Sequence, residues 1–314
     1  MLRTTFVLLL AALALASGSA LAEPAPSPED PSTAPPQQPF TSDEEETLAL
    51  DRSQRRLTLA VGIGEHGPFD FLVDTGSEAT IVSSEVADQL GLPREEERRI
   101  VGVGGETMAA SVTLDELVVG SRRMRDLPAA VVDGAGIGAE GIIGIESLRD
   151  QRVVLDFENS EITVGPSDAQ VTARPGEIVV RARARENRLI VHRARLAGLL
   201  VDVVIDTGSD FTIGNTALGA KLGRKAEHIA TSEMLDALGN RDTVEILLAG
   251  KLELGPLSFP RTLIAIADTN VFEELGLTER PAILLGMNHL RLFRRVAVDF
   301  HKRRIAFELP DERG

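Results

Sequence analysis

The 314 residues, 43% of them hydrophobic, are enough for two ordinary domains with substantial cores and too apolar for a disordered chain. The 48 acidic residues outnumber the 33 basic ones for a net charge of −15, the reverse of the basic footprint of a nucleic-acid binder. Aromatic residues make up 4%, with no Trp and no Tyr, so the cores must be aliphatic with some Phe; the absence of Cys excludes disulfides and a thiol nucleophile.

Residues 1–22 read as a signal peptide. Arg3 supplies the positive start, Phe6 through Ala16 are apolar, and Ala20-Leu21-Ala22 is a small-x-small cleavage site before Glu23. That apolar run is well short of the ~20 residues that span a bilayer, and no other stretch is long enough, so the mature chain is expected to lack a membrane span and to be exported, periplasmic or secreted. Residues 23–47 hold seven of the sixteen prolines and end near Asp43-Glu44-Glu45-Glu46. They cannot bury enough apolar surface to order themselves and read as a flexible tether.

Folded sequence is expected from Leu48. Leu57 to Ile63, a turn at Gly64 to Pro68, and Phe69 to Val73 form a hairpin whose second strand runs into Asp74-Thr75-Gly76-Ser77. A short helix from Ser84 to Leu90 follows, closed by Gly91. The same design returns with Leu189 to Leu196, a turn at Ala197-Gly198, Leu199 to Ile205, then Asp206-Thr207-Gly208-Ser209, a helix from Thr216 to Leu222 and Gly223. Further on, Ile142-Ile143-Gly144 matches Leu284-Leu285-Gly286, and Val154-Leu155-Asp156-Phe157 matches Ala297-Val298-Asp299-Phe300. A given tetrapeptide arises by chance in on the order of one chain in a few hundred of this length, so two copies in matching surroundings indicate a tandem duplication of one mostly-β domain. The copies span 48–164 and 177–311, joined by a polar linker at 165–176.

Apolar-Asp-Thr-Gly-Ser, a short helix, and apolar-apolar-Gly before a closing strand resemble the retropepsin-type aspartic proteases over most of residues 50–310. The resemblance implies two closed-barrel or β-sandwich lobes with short helices, arranged as a pseudo-two-fold dimer within one chain, so that a monomer suffices. It implies Asp74 and Asp206 as a catalytic pair acting on a peptide or protein substrate without metal or cofactor. By position it gives Thr75 and Thr207 the role of cross-linking the two loops, Gly76 and Gly208 that of close backbone approach, and Ser77 and Ser209 that of hydrogen-bonding the carboxylates. Val101-Gly102-Val103-Gly104-Gly105 has the glycine density of a flap tip, and Leu238-Gly239-Asn240 offers a second. The chain departs from the family in carrying Ile145-Glu146 and Met287-Asn288 after the second-motif glycines, and in having no flap Tyr. Phe211, where the first copy has Ala79, suggests apolar and unequal substrate pockets.

Two carboxylates suit metal-free amide hydrolysis because one can activate water as a base while the other protonates the scissile group. Held a few ångström apart they cannot both ionise, so the pair keeps one proton. A peptide-binding module that keeps the fold without catalysis is the rival reading, and pairing of like copies between two chains is a third.

Other patterns carry less. Gly136-Ile137-Gly138-Ala139-Glu140-Gly141 fits GxGxxG, but Ile142-Ile143-Gly144 follows where a dinucleotide site needs a helix, so it reads as a loop. His66, His192, His228, His289 and His301 have no metal spacing and read as surface or structural residues. Arg94 to Arg99 is a mixed charge run, expected to be a solvated loop near the first flap.

Overall fold

The computed structural model describes residues 6–9, 46–49, 58–77, 79–101, 106–119, 122–148, 151–167, 177–185, 188–236 and 240–310. Most of the leader, the Pro-rich segment, residues 168–176 of the linker, and the flap glycines Gly102, Gly104, Gly105 and Gly239 lie outside them. The described chain is mostly strand with short helices, in two lobes of the same design.

In the first lobe, Thr58–Ile63 and His66–Val73 form the expected antiparallel hairpin. The apolar-apolar-Gly strand Gly141–Ile143 inserts beside it in parallel, with Val73 opposite Ile143. The long strands Glu106–Val119 and Arg122–Val132 complete a sheet that closes when Gly62 and Ile63 pair with Val118 and Leu117. The second lobe repeats this: Leu199–Ile205 pairs in parallel with Ala282–Leu285, placing Ile205 opposite Leu285. Its sheet does not close in the same way, because Leu252–Leu254 and Leu257–Phe259 peel off as a separate hairpin against Arg188–Leu196. At its far edge Phe6–Leu9 lies parallel to Ser232–Leu235.

These strands bury both faces or one, and their sequence says which. Ala282–Leu285 is a continuous buried apolar run, and Leu199–Ile205 becomes one after Asp202, at Val203–Ile205, as expected where parallel strands are covered on both sides. The aliphatic core expected from the composition is present, with Phe71, Phe272 and Phe307 among its largest fully buried side chains. The helices after each Asp-Thr-Gly-Ser loop are Ser84–Gln89, one residue shorter than read from sequence, and Thr216–Leu222. Each starts on a side-chain cap: Ser83 Oγ accepts from Val86 N–H and Asn215 Oδ1 from Leu218 N–H.

The lobes share a third sheet. Its order runs Glu177–Arg181, Arg304–Glu308, Arg295–Asp299, Gln151–Asp156, Glu161–Pro166 and Glu46–Ala49. At its centre Val154 lies opposite Ala297, the very residue it matches in the repeat, and Arg152 and Asp156 lie opposite Asp299 and Arg295. Equivalent residues facing each other in an antiparallel pair define a local two-fold axis, and here it passes between the two copies.

The second-motif glycines are steric requirements. A Cβ on Gly286 would lie 2.5 Å from the Phe211 carbonyl oxygen, and one on Gly144 would lie 2.5 Å from the Ala79 carbonyl carbon. Both obstacles are backbone of the loop that leaves Asp-Thr-Gly-Ser, so they cannot swing aside as a side chain would. Gly286→Ala should therefore cost about 1–3 kcal/mol or more, the range for overpacking a tight site. The check is the urea midpoint, which should fall at unchanged slope; an unaltered midpoint would mean that the loop has slack there.

Candidate active site

The two Asp-Thr-Gly-Ser loops meet where the lobes join. Asp74 follows the strand His66–Val73 and Asp206 the strand Leu199–Ile205. The neighbouring parallel strand holds each in place: Asp74 N–H donates to Ile143 O and Asp206 N–H to Leu285 O, both at 3.1 Å. Next along, the loops bind each other reciprocally. Thr75 N–H donates to Thr207 Oγ1 at 3.0 Å, and Thr207 N–H to Thr75 Oγ1 at 3.1 Å. The hydroxyls then donate across the junction, Thr75 to Ile205 O at 3.0 Å and Thr207 to Val73 O at 2.7 Å. Both threonines are buried, and every polar group of this square is satisfied by another member of it.

The carboxylates come together over the glycines. A Cβ on Gly76 would sit 2.7 Å from Asp206 Oδ1 and 3.1 Å from Asp74 Oδ1. A Cβ on Gly208 would sit 2.1 Å from Asp74 Cγ. Any side chain at either position would occupy the space the facing carboxylate needs, which is why Gly follows Asp-Thr twice.

Backbone donors orient the acids. Asp74 Oδ1 accepts from Gly76 N–H at 2.7 Å and Ser77 N–H at 3.1 Å; Asp206 Oδ1 accepts from Gly208 N–H at 3.0 Å. The serines thus reach the carboxylates through the main chain. Their hydroxyls turn the other way, Ser77 Oγ to Ala79 O at 2.9 Å and Ser209 Oγ to Phe211 O at 2.7 Å. They tie down the exit of each loop.

The two acids differ in environment. Asp206 is 3% exposed, whereas Asp74 is half-buried. Burial pushes the Asp206 carboxyl up to about 7, and the charge of Asp74 pushes the same way. The N–H groups of Gly208 and Ser209 and the guanidinium of Arg188 pull it down without prevailing.

Sequence reading missed several supporting residues. Glu146 Oε1 accepts from both the N–H and the hydroxyl of Thr80, and Asn288 Oδ1 does the same for Thr212. The family departure at these positions therefore keeps one structural job with two side chains, one charged and one neutral. Arg188 was missed altogether. From the second lobe its Nε and Nη2 donate to Gly76 O at 3.0 and 2.7 Å, while Nη1 pairs with Glu274 at 2.9 Å. A signal existed: Arg188 precedes Asp206 by 18 residues, as Arg56 precedes Asp74.

One expectation needs correction. The charge run Arg94 to Arg99 is not all loop, since Glu97–Val101 is a strand paired with the start of Glu106–Val119. Ile100 anchors it by burying in a cluster with Leu72, Ile81 and Ala130, while Glu97, Arg98 and Arg99 before it stay exposed. Phe211 is partly buried against the second-lobe core that includes Ile190 and Val204, so its ring packs with the lobe. The strands Glu227–Leu235 and Arg241–Ala249 form a hairpin whose ends are tied by Asn240 and Asp236, with Asn240 N–H donating to Asp236 Oδ1 at 2.8 Å.

The remaining patterns stay apart from the carboxylates. Gly136 to Gly141 runs from a four-residue helix, Gly134–Ile137, into the strand Gly141–Ile143. His192 Nδ1 meets Asp202 at 2.7 Å, and burial pulls His289 down to about 4 beside Thr212 and Phe259. Among the described residues no group of three or more His, Asp or Glu side chains is placed to hold a metal ion.

A family model described as aspartyl protease matches residues 59–147 and, separately, residues 192–289. The chain belongs to the aspartyl protease family. Each match contains one Asp-Thr-Gly-Ser loop and one apolar-apolar-Gly strand, so the duplication read from sequence is a duplication of this family's domain. No curated protein matches the chain.

In this aspartyl protease the raised titration of Asp206 has a consequence for stability. Unfolded, Asp206 titrates near its ordinary 3.8; folded, it titrates near 7. Between those values the folded protein keeps a proton that the unfolded chain has lost, so stability falls as pH rises through the window. Asp206→Asn has no proton to lose and escapes that fall. Its Tm relative to wild type should therefore climb from about pH 4 to about pH 7 and level off above. A Tm difference that stays flat across that range in calorimetry would contradict the raised titration.

Proposed function

We propose that the chain is an exported aspartic endopeptidase in which Asp74 and Asp206 form the catalytic pair within a single chain. The observation that carries this reading is the pair itself: two carboxylates on cross-linked, duplicated loops flank one point, and one of them holds its proton to near neutral pH. Shared-proton carboxylate pairs are how aspartic proteases generally run acid and base chemistry together.

The environments divide the roles. Asp206, buried and facing a negative neighbour, carries the proton and is the acid. Asp74 accepts two backbone N–H bonds, which favour its charged form, and is the base. A water between them loses a proton to Asp74 while its oxygen bonds to the scissile carbonyl carbon, and Asp206 delivers its proton to the carbonyl oxygen. The resulting gem-diol returns a proton to Asp206 as the carbonyl re-forms. The amide nitrogen takes up the proton from Asp74 as the C–N bond breaks, so atoms and charge balance. The substrate would lie extended, its backbone pairing with cleft and flap strands. Since both loops belong to one chain, no second subunit is needed to complete the pair.

Each acid is essential in this scheme. Asp74→Asn and Asp206→Asn should each lower kcat/KM on peptides by at least ~10²–10⁴-fold, the contribution of one positioned acid or base. Wild-type kcat/KM should follow a bell in pH, with its alkaline limb near the Asp206 titration at about 7. Hydrolysis that keeps rising into alkaline pH, or that survives in either Asn variant, would reject the pair.

Export rests on the leader signature of residues 1–22. Removing that segment would also take Phe6–Leu9 off the edge of the strand Glu227–Leu235. In a secreting host the mature protein should begin at Glu23 by N-terminal sequencing; a mature protein still starting at Met1 would reject cleavage.

A further inference from the structure

A cavity of about 160 Å³ opens beside the first catalytic loop. Ser77, whose N–H binds Asp74, is part of its wall, and so is Arg188, which holds the neighbouring Gly76 carbonyl. The cavity therefore adjoins the reaction centre on the Asp74 side. Its volume would take roughly five waters, the scale of one carboxylate side chain.

The wall has two characters. Ala79, Ile100, Pro128 and Ala130 give the wall apolar, unreactive surface. Arg98, Arg99 and Arg188 bring three guanidinium groups to it, with Glu274 as the lining carboxylate. Glu274 is already engaged by Arg188 Nη1 at 2.9 Å, so it offsets one of the three charges. Arg98 stands two residues from buried Ile100 on the same face of the strand Glu97–Val101, the face turned toward the cavity. Its side chain is exposed and makes no ion pair among the described residues. An exposed guanidinium at a cavity wall, on a chain of net charge −15, is a local reversal of sign. It attracts what the rest of the surface repels.

We infer that this cavity is a substrate subsite that selects an acidic side chain, with Arg98 as the residue that reads it. This deepens the peptidase reading and rests on it. A glutamate or aspartate entering from the cleft would lay its methylene carbons on the apolar wall and present its carboxylate to the Arg98 fork. Guanidinium matches a carboxylate with two parallel N–H donors, a geometry that an amide or an apolar side chain cannot use fully. A basic side chain would meet like charges, and an aliphatic one would strip water from the arginines without replacing its hydrogen bonds.

The experiment uses quenched fluorescent peptides that differ at one position at a time, with Glu, Gln, Leu or Lys on either side of the scissile bond. Wild type should favour Glu over Gln at one position by about 10–100-fold in kcat/KM, the size of a hydrogen bond to a charged group. That preference should shrink in high salt and below the titration of the peptide's own glutamate. Arg98→Glu should reverse it toward Lys and Arg98→Gln should flatten it, both at wild-type Tm. Binding of the same peptides to Asp74→Asn, read by fluorescence anisotropy, separates this inference from the peptidase reading. Acid preference in binding with no hydrolysis by wild type keeps the subsite and rejects the peptidase. Hydrolysis with no acid preference at any position, or with a preference untouched in both Arg98 variants, overturns the subsite and leaves the peptidase standing.

Discussion

The reciprocal hydrogen bonds between Thr75 and Thr207 are the constraint on which the site depends. Each threonine N–H is buried and has one acceptor, the hydroxyl of its partner, and each hydroxyl spends its proton on a carbonyl of the opposite strand. If the lobes separated, four buried polar groups would lose their partners at once, at about 1–3 kcal/mol each. The lobes therefore cannot drift at this point without a large penalty. The distance between Asp74 and Asp206 is set by groups one residue away from both. Farther out, the Val154–Ala297 pair of the shared sheet places the same two-fold axis between equivalent residues. Two registrations of one axis, one polar and one apolar, fix the relative orientation of the lobes.

That symmetry is of backbone and hydrogen bonding, and it stops at side chains. Glu146 and Asn288 perform one job with different charge, and Glu146 Oε2 is left buried with no hydrogen-bond partner among the described residues. Ala79 lines a cavity, whereas Phe211, its counterpart, packs against the core of its lobe. Arg188 carries a charge to the Gly76 loop, and its ion-pair partner Glu274 sits in the helix Asn270–Glu274. In a dimer of identical subunits each of these substitutions would appear twice and cancel as a source of difference. A duplicated single chain carries them once.

What could be read from the sequence was what repeats locally. The two hairpins, the Asp-Thr-Gly-Ser turns, the short helices and the apolar-apolar-Gly strands each sit within a few residues of their own signal, so period and turn chemistry located them. Even the steric need for Gly144 and Gly286 was implicit in their matching positions. Contacts made across the molecule were not legible. Arg188 meets Gly76 over 112 residues, and its matching position to Arg56 marks it as a repeated residue without announcing a carbonyl acceptor in the other lobe. The arginines of the strand Glu97–Val101 looked like solvated charge because the anchoring of Ile100 depends on Leu72, Ile81 and Ala130, which arrive from three other strands. The serines were assigned to the carboxylates by position without an atom, since sequence does not distinguish a main-chain donor from a hydroxyl.

The asymmetry bears on how a pair of acids chooses its roles. Two carboxylates related by perfect symmetry have degenerate protonation states, and only a bound substrate can decide which one holds the proton. Here the decision is built in. Arg188 alone would bias Asp206 toward ionisation, because a guanidinium nearby lowers a carboxyl's titration. Burial opposes it and is the larger effect, so Asp206 is the carboxyl that holds its proton more tightly than usual. The cavity with the arginine wall opens on the side of Asp74, the less buried acid. An acidic substrate side chain entering there would add negative charge near Asp74, and the guanidinium groups of Arg98 and Arg188 stand where they would screen it. The same residues that would recognise the substrate thus keep its charge from disturbing the pair that would cut it.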